Sequence, residues 1–188
     1  MTSWMYDSFG HHEVNLVFAR GLSLEAFISG LRDQHREPLA HGEAGGWVWA
    51  VHDMIDDETD DYDGVHYGRL CPEGTEVAVF VTEPCSAKAH GPQFQYLRDG
   101  RTVLFFSFED IGQRVGENPD LISAELLAAN LIGPGAECEQ EETDDHDCFD
   151  HHYDDEDRLV RAIADAFALP SPPLALPSPP LAPAVTAK

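Results

Sequence analysis

Apolar residues fall along this chain in two periods, and the alternation between them predicts its elements. EVNLVFAR (13–20) is a near-continuous apolar run of strand length. Ser23 then stands before SLEAFISGLRDQ, in which Leu24, Phe27, Ile28 and Leu31 recur at helical spacing, so a capped helix is expected. A polar, Gly-rich link leads to GWVWAVHDM (46–54), a strand rich in aromatic and β-branched residues. GVHYGRL (64–70) and TEVAVFVTE (75–83) read as two more short strands, joined by a turn around Pro72 and Gly74. In QFQYLRDGRTVLFFSFE, Asp99-Gly100 between two aromatic-rich runs predicts a hairpin with a type I′ turn. Asn118-Pro119 supplies a helix start, with Leu121, Ile122, Leu127, Leu131 and Ile132 as its apolar face and Gly133-Pro134-Gly135 as its stop. Leu159, Val160, Ile163 and Phe167 mark a last helix. The fold class is α+β: an antiparallel sheet of about six strands with helices packed on one face.

The end of the chain departs from this pattern. ALPSPPL occurs twice in tandem, at 168–174 and 175–181. Proline at that density predicts a polyproline or disordered tail over 170–188, after a single domain over 1–169. The repeat contains PxxP but lacks the flanking Arg or Lys that orients such ligands, so a flexible tail is the better reading.

Composition changes the picture at one point only. With 188 residues and 43% hydrophobic content, the chain matches one domain with a real core. Its net charge of −24 does not match an ordinary domain, and the excess is local. The runs 56–63 and 137–157 hold 18 of the 35 acidic residues and no Lys or Arg. Such a field repels nucleic acid and anionic membranes and favours basic partners or cations. No apolar run approaches the ~18–20 residues that span a bilayer, and the start lacks the build of a signal peptide. Cys71, Cys85, Cys138 and Cys148 form no CxxC and no dense framework, so reduced thiols in a cytoplasm are expected.

Several stretches resemble the actinobacterial domain-of-unknown-function family 6461. NLVFARGLSLEAFISGL (15–31) is similar to its opening strand and Arg-Gly-Leu-(Ser/Thr)-x-Glu step into a helix. GWVWAVHD, LCPEGTEVAVFV, YLRDGRTVLFFSFEDIGQRVGENPDLI (96–122) and RLVRAIADAFAL are similar to its later strands, hairpin, link and terminal helix. The acidic DDETDDYDG stands where members usually show an Asn-Gly turn. The resemblance covers about residues 13–169 and implies a fold and a bacterial cytoplasm. It implies no activity, so no catalytic residue is carried over.

The candidate chemistries are few. An EF-hand loop aligned on Gly64 has Thr59 and Leu70 where its end ligands belong, which removes the charge and geometry that hold calcium. A structural zinc site would draw on Cys138, His146, Cys148, His151 and His152. Nine residues separate the two cysteines, and adjacent histidines ligate one ion poorly, so a solvated insertion is the better reading there. Cys85 with His90 is the one local thiol–imidazole pairing, and neither a nucleophile elbow nor a phosphate-cradling glycine loop occurs. No catalytic residue and no resident cofactor are therefore expected. The functional expectation is an acidic, non-enzymatic binding protein. It would resemble an immunity protein, an antitoxin or a DNA mimic, engaging a basic protein through Asp144, Asp145, Asp147, Asp150, Asp154 and Asp155. The alternative is a metal-binding protein or metal-dependent enzyme built on the His/Asp cluster, with zinc.

Overall fold

A computed structural model describes residues 14–53, 65–82, 92–134, 136 and 155–171. Six strands form one antiparallel sheet: β1 (Val14–Arg20), β2 (Pro38–Ala44), β3 (Trp47–Asp53), β4 (Glu76–Val81), β5 (Gln93–Arg98) and β6 (Arg101–Ser107), in the order β2-β3-β1-β4-β5-β6. Three α-helices accompany it: α1 (Leu24–Arg32), α2 (Ser123–Ala128) and α3 (Asp155–Phe167). The predicted class, α+β on a six-stranded antiparallel sheet, is what the structure shows.

The helices lie on both faces of the sheet and not on one. Val14, Leu16, Phe18, Trp49, Val51, Phe80, Phe94 and Leu104 point to the face covered by Ile122 and Leu126 of α2 and by Leu159, Val160 and Ile163 of α3. Val17, Ala19, Val48, Ala50, Val77 and Val79 point the other way, to Phe27, Ile28 and Leu31 of α1. That is why β1 and β3 read as unbroken apolar runs: strands covered on both faces have no solvent side to mark with polar residues. Apart from Asn15 and His52, their α1 face is Ala and Val, which lets the helix approach closely. The opposite face carries a row of rings, with Phe18 6.4 Å from Phe80, Phe80 5.1 Å from Phe94, and Phe94 5.8 Å from Phe106. Phe167 of α3 closes it, 4.4 Å from Tyr96.

Local signals explain the ends of elements. Ser23 accepts a hydrogen bond from the Ala26 amide and caps α1 as expected. Asp99 and Gly100 have φ of +52° and +75°, as the type I′ turn of the β5–β6 hairpin requires. Asp99 also accepts from the Gly74 amide at 2.6 Å, tying the hairpin to the turn before β4.

Three predicted elements differ. The strand expected over 64–70 does not form in its described part, 65–70: Tyr67–Leu70 is a 3-10 turn. Tyr67 and Leu70 are both buried on one side, a period of three that suits a 3-10 turn and not a pleat. The missing strand is β2, in the supposed link. Its inward positions Pro38, Ala40, Gly42 and Ala44 are small and only half buried, so no apolar alternation announced it. The helix expected from Pro119 begins at Ser123, with turns before it. Its core contacts are Ile122, Leu126 and Leu131, whereas Leu121 and Leu127 are exposed.

Candidate functional site

Two adjoining features concentrate the body's polar chemistry, and both stand on the α1 face. The first is a buried network. Asn15 of β1 and His52 of β3 are directly opposite in register, and parity turns both toward α1. Tyr67 reaches in from the 3-10 turn, and Asn15 Nδ2 donates to Tyr67 Oη at 2.7 Å. Tyr67 Oη lies 3.1 Å from His52 Nε2, and His52 Nδ1 lies 2.7 Å from the Asp53 carbonyl oxygen. A carbonyl only accepts, so Nδ1 carries the proton and Nε2 accepts from the tyrosine hydroxyl. The three side chains thus form one directed chain of hydrogen bonds. Burial disfavours the imidazolium and lowers the His52 pKa to about 4, against the backbone bond to Asp53 that raises it. Burial likewise pushes the Tyr67 phenol far up, opposed by the Asn15 hydrogen bond. Both groups are neutral across the physiological range. They hold the 3-10 turn to the sheet.

The second feature is the outer side of that turn. A cleft of about 430 Å³ opens between residues 65–69 and the β5–β6 hairpin, lined by Val65, His66, Tyr67, Gly68, Arg69, Gln95, Leu97, Gly100 and Thr102. Among the described residues, α1 packs mainly against β2, β3 and the 3-10 turn on this face, and the cleft lies beyond it, toward β5 and β6. Nothing in the hydrophobic pattern singled out these residues. The signal that was available is GVHYGRL, whose mixed polarity fits a strand poorly.

Around this framework the surface is organised by ion pairs. At least six of the nine described arginines pair with carboxylates: Arg20 and Arg98 with Glu76, Arg32 with Glu37, Arg101 with Glu117, Arg114 with Asp120, and Arg158 with Asp155. Arg20 also lies over the Trp47 ring, 4.6 Å from its centroid, so the Arg20–Glu76–Arg98 group roofs the aromatic row.

Of the acidic partner-binding candidates, Asp155 alone is described. It opens α3 and bonds Arg158 one turn on, and Glu156 and Asp157 follow it in the first turn, where the helix dipole favours negative charge. Asp144, Asp145, Asp147, Asp150 and Asp154 lie outside the described residues. So do the metal candidates Cys138, His146, Cys148, His151 and His152, the acidic run 56–63, the pair Cys85 and His90, and residues 172–188. Among the described residues, no group of three or more His, Cys, Asp or Glu side chains is placed to hold a metal. No helix among them is long and apolar enough to cross a membrane. Cys71 is a buried free thiol whose Sγ lies 3.4 Å from the Thr75 carbonyl oxygen.

Comparison with known proteins returns no matching family model, no matching curated protein and no matching solved structure.

Proposed function

We propose that this chain is a non-enzymatic binding protein that engages a basic protein through its carboxylate-rich segments, in the manner of an immunity protein or antitoxin holding a cationic enzyme. The observation that carries this reading is where the charge sits. The described residues contain 17 acidic and nine basic side chains, and six of those bases are tied into ion pairs. The remaining segments contain 18 acidic residues and two lysines, and so contribute −16 of the −24. The framework is therefore close to an ordinary surface, and the excess belongs to what it presents.

Topology supports the reading. Val14 is opposite Asp53, Asn15 opposite Val81, and Val81 opposite Gln93, so the chain enters or leaves segments 1–13, 54–64 and 83–91 at one end of the sheet. Segment 54–64 carries six of the acidic residues, and a local excess of carboxylate raises the potential that accelerates encounter with a cation-rich surface. A DNA mimic, which occupies the phosphate-binding surface of its partner, is a form of the same reading. The resemblance of NLVFARGLSLEAFISGL and of residues 96–122 to the actinobacterial family supports a bacterial cytoplasm as the setting.

The test is affinity capture from host extract at low salt, followed by titration of the purified partner. Asp144, Asp145, Asp147, Asp150 and Asp154 are replaced by Asn, and Asp155 is kept because it pairs with Arg158 at the start of α3. Weaker affinity and a shallower dependence on salt are expected. Unchanged affinity and slope would move the binding surface to the framework. Displacement of the partner by duplex DNA identifies the mimic form.

A further inference from the structure

We infer that the cleft between the 3-10 turn and the β5–β6 hairpin is a binding site for a small organic anion, a carboxylate or phosphate carried on a flat apolar body. The inference does not depend on the acidic segments, which call for a partner of the opposite charge. In a chain of −24, no carboxylate stands among the described residues lining this cleft, while Arg69 and His66 do. Arg69 has no carboxylate partner among the described residues, unlike the six paired arginines. A second hollow, near the hairpin tip, shows the contrast: Arg98 and Arg101 line it together with Glu73, Asp99 and Glu117, and Arg101 is 3.4 Å from Glu117. Among the described residues that hollow neutralises itself, and the cleft does not.

The rest of the lining suits a specific ligand. Gln95 Nε2 donates to Thr102 Oγ1 at 3.1 Å, which leaves the Thr102 hydroxyl hydrogen and the Gln95 carbonyl oxygen for a guest. Val65 and Leu97 supply apolar wall. The backbones of Gly68 and Gly100 approach so closely that a Cβ on Gly68 would stand 3.3 Å from the Gly100 oxygen, so side chains are kept off that floor. A volume of about 430 Å³ is that of a small-molecule site.

The walls are also held in advance. Tyr67 is fixed from behind by Asn15 and His52, the His66 amide donates to Gln34 Oε1 at 2.9 Å, and Leu70 packs on Gly30 of α1. A cleft so anchored loses little entropy on binding, which is the condition under which one guanidinium contact becomes measurable affinity.

The experiment is amide NMR on the full chain, with benzoate and phenyl phosphate as probes and benzylammonium as the cationic counterpart. Saturable shifts centred on Gly68, Arg69, Gly100 and Thr102 are expected with both anions and not with the cation. Arg69→Gln should weaken the anions by about tenfold or more, the worth of one charge-assisted hydrogen bond. Arg161→Gln, on α3 and outside the cleft, should leave them unchanged. Arg69 is exposed, so its spectrum otherwise stays that of the folded protein. Absence of saturation, equal response to benzylammonium, shifts centred elsewhere, or undiminished binding by Arg69→Gln would each overturn the site.

Discussion

His52 is the residue whose behaviour reaches furthest. It is fully buried, with Nε2 accepting from Tyr67 and Nδ1–H donated to its neighbour's carbonyl. In the unfolded chain a histidine takes up a proton near pH 6.5; in the fold this one resists until about pH 4. Above pH 6.5 neither state binds that proton and there is no penalty. As pH falls from 6.5 to 4 the unfolded state binds it alone, so stability declines by up to about 3 kcal/mol and then levels off. Urea unfolding of wild type and His52→Gln across pH 7 to 4 should show the gap between them changing over that window, whatever the other histidines and carboxylates do to both. A constant gap would remove His52 as its source. Tyr67→Phe tests the same chain at neutral pH. It strands a buried donor on Asn15 and an acceptor on His52, so a loss of roughly 1–3 kcal/mol is expected.

Among the elements, the two sheet edges are finished differently. β6 is covered by the stretch Arg114–Asn118, with the Phe105 and Val115 amides each bonded to the other's carbonyl and Asn118 donating to Val103 at 2.8 Å. This cover passes Gly116 at φ +125°, where a Cβ would stand 2.4 Å from the Val103 oxygen. Gly116→Ala should therefore lift the cover off. A loss of roughly 2 kcal/mol or more and a rise in self-association by light scattering are expected, since the bared strand offers unpaired amides and carbonyls. A variant as stable and as monodisperse as wild type would mean that the cover is incidental. β2, the other edge, is where sequence reading failed, and the reason is physical. Gly42 lies under the Trp49 ring with room for nothing larger, so the strand is written in small residues that carry no hydrophobic signal. The hairpin was legible because Asp99-Gly100 encodes its own backbone angles locally. The pair of faces was not, because helix spacing says which side of α1 is apolar and nothing about which side of the sheet it will meet. The cleft escaped for a related reason: Gln95 and Thr102 meet only through the pairing of β5 with β6, and Arg69 joins them only because the 3-10 turn lies beside that pair.

For the molecule as a whole, like charge is the cost that must be offset. Raising salt from low to physiological screens repulsion among the carboxylates, so thermal stability should rise with ionic strength, and the five-Asn variant should show a smaller rise. An equal rise in both would place the repulsion elsewhere. The boundary of the stable unit is equally open to test. Leu169 is buried against the α3 face of the core, and its amide donates to the Ala164 carbonyl at 2.9 Å. A chain ending at Ser171 should keep the wild-type melting temperature, and one ending at Phe167 should fall by several degrees.

The strand order has a consequence in time. β1 is the first strand along the chain, yet it lies in the middle, with β3 on one side and β4 on the other. During synthesis it is complete long before either neighbour exists, and its second edge stays open until residue 81 has been made. Meanwhile β2–β3 can close as a local hairpin, and β5–β6 closes as another once residue 107 has been made, each over a few residues of separation. The sheet is thus two locally assembled halves with one early strand as their seam, and six of the seven residues of that seam are buried in the finished fold. Until β4 arrives, that strand is the segment a nascent chain must keep from pairing with anything else.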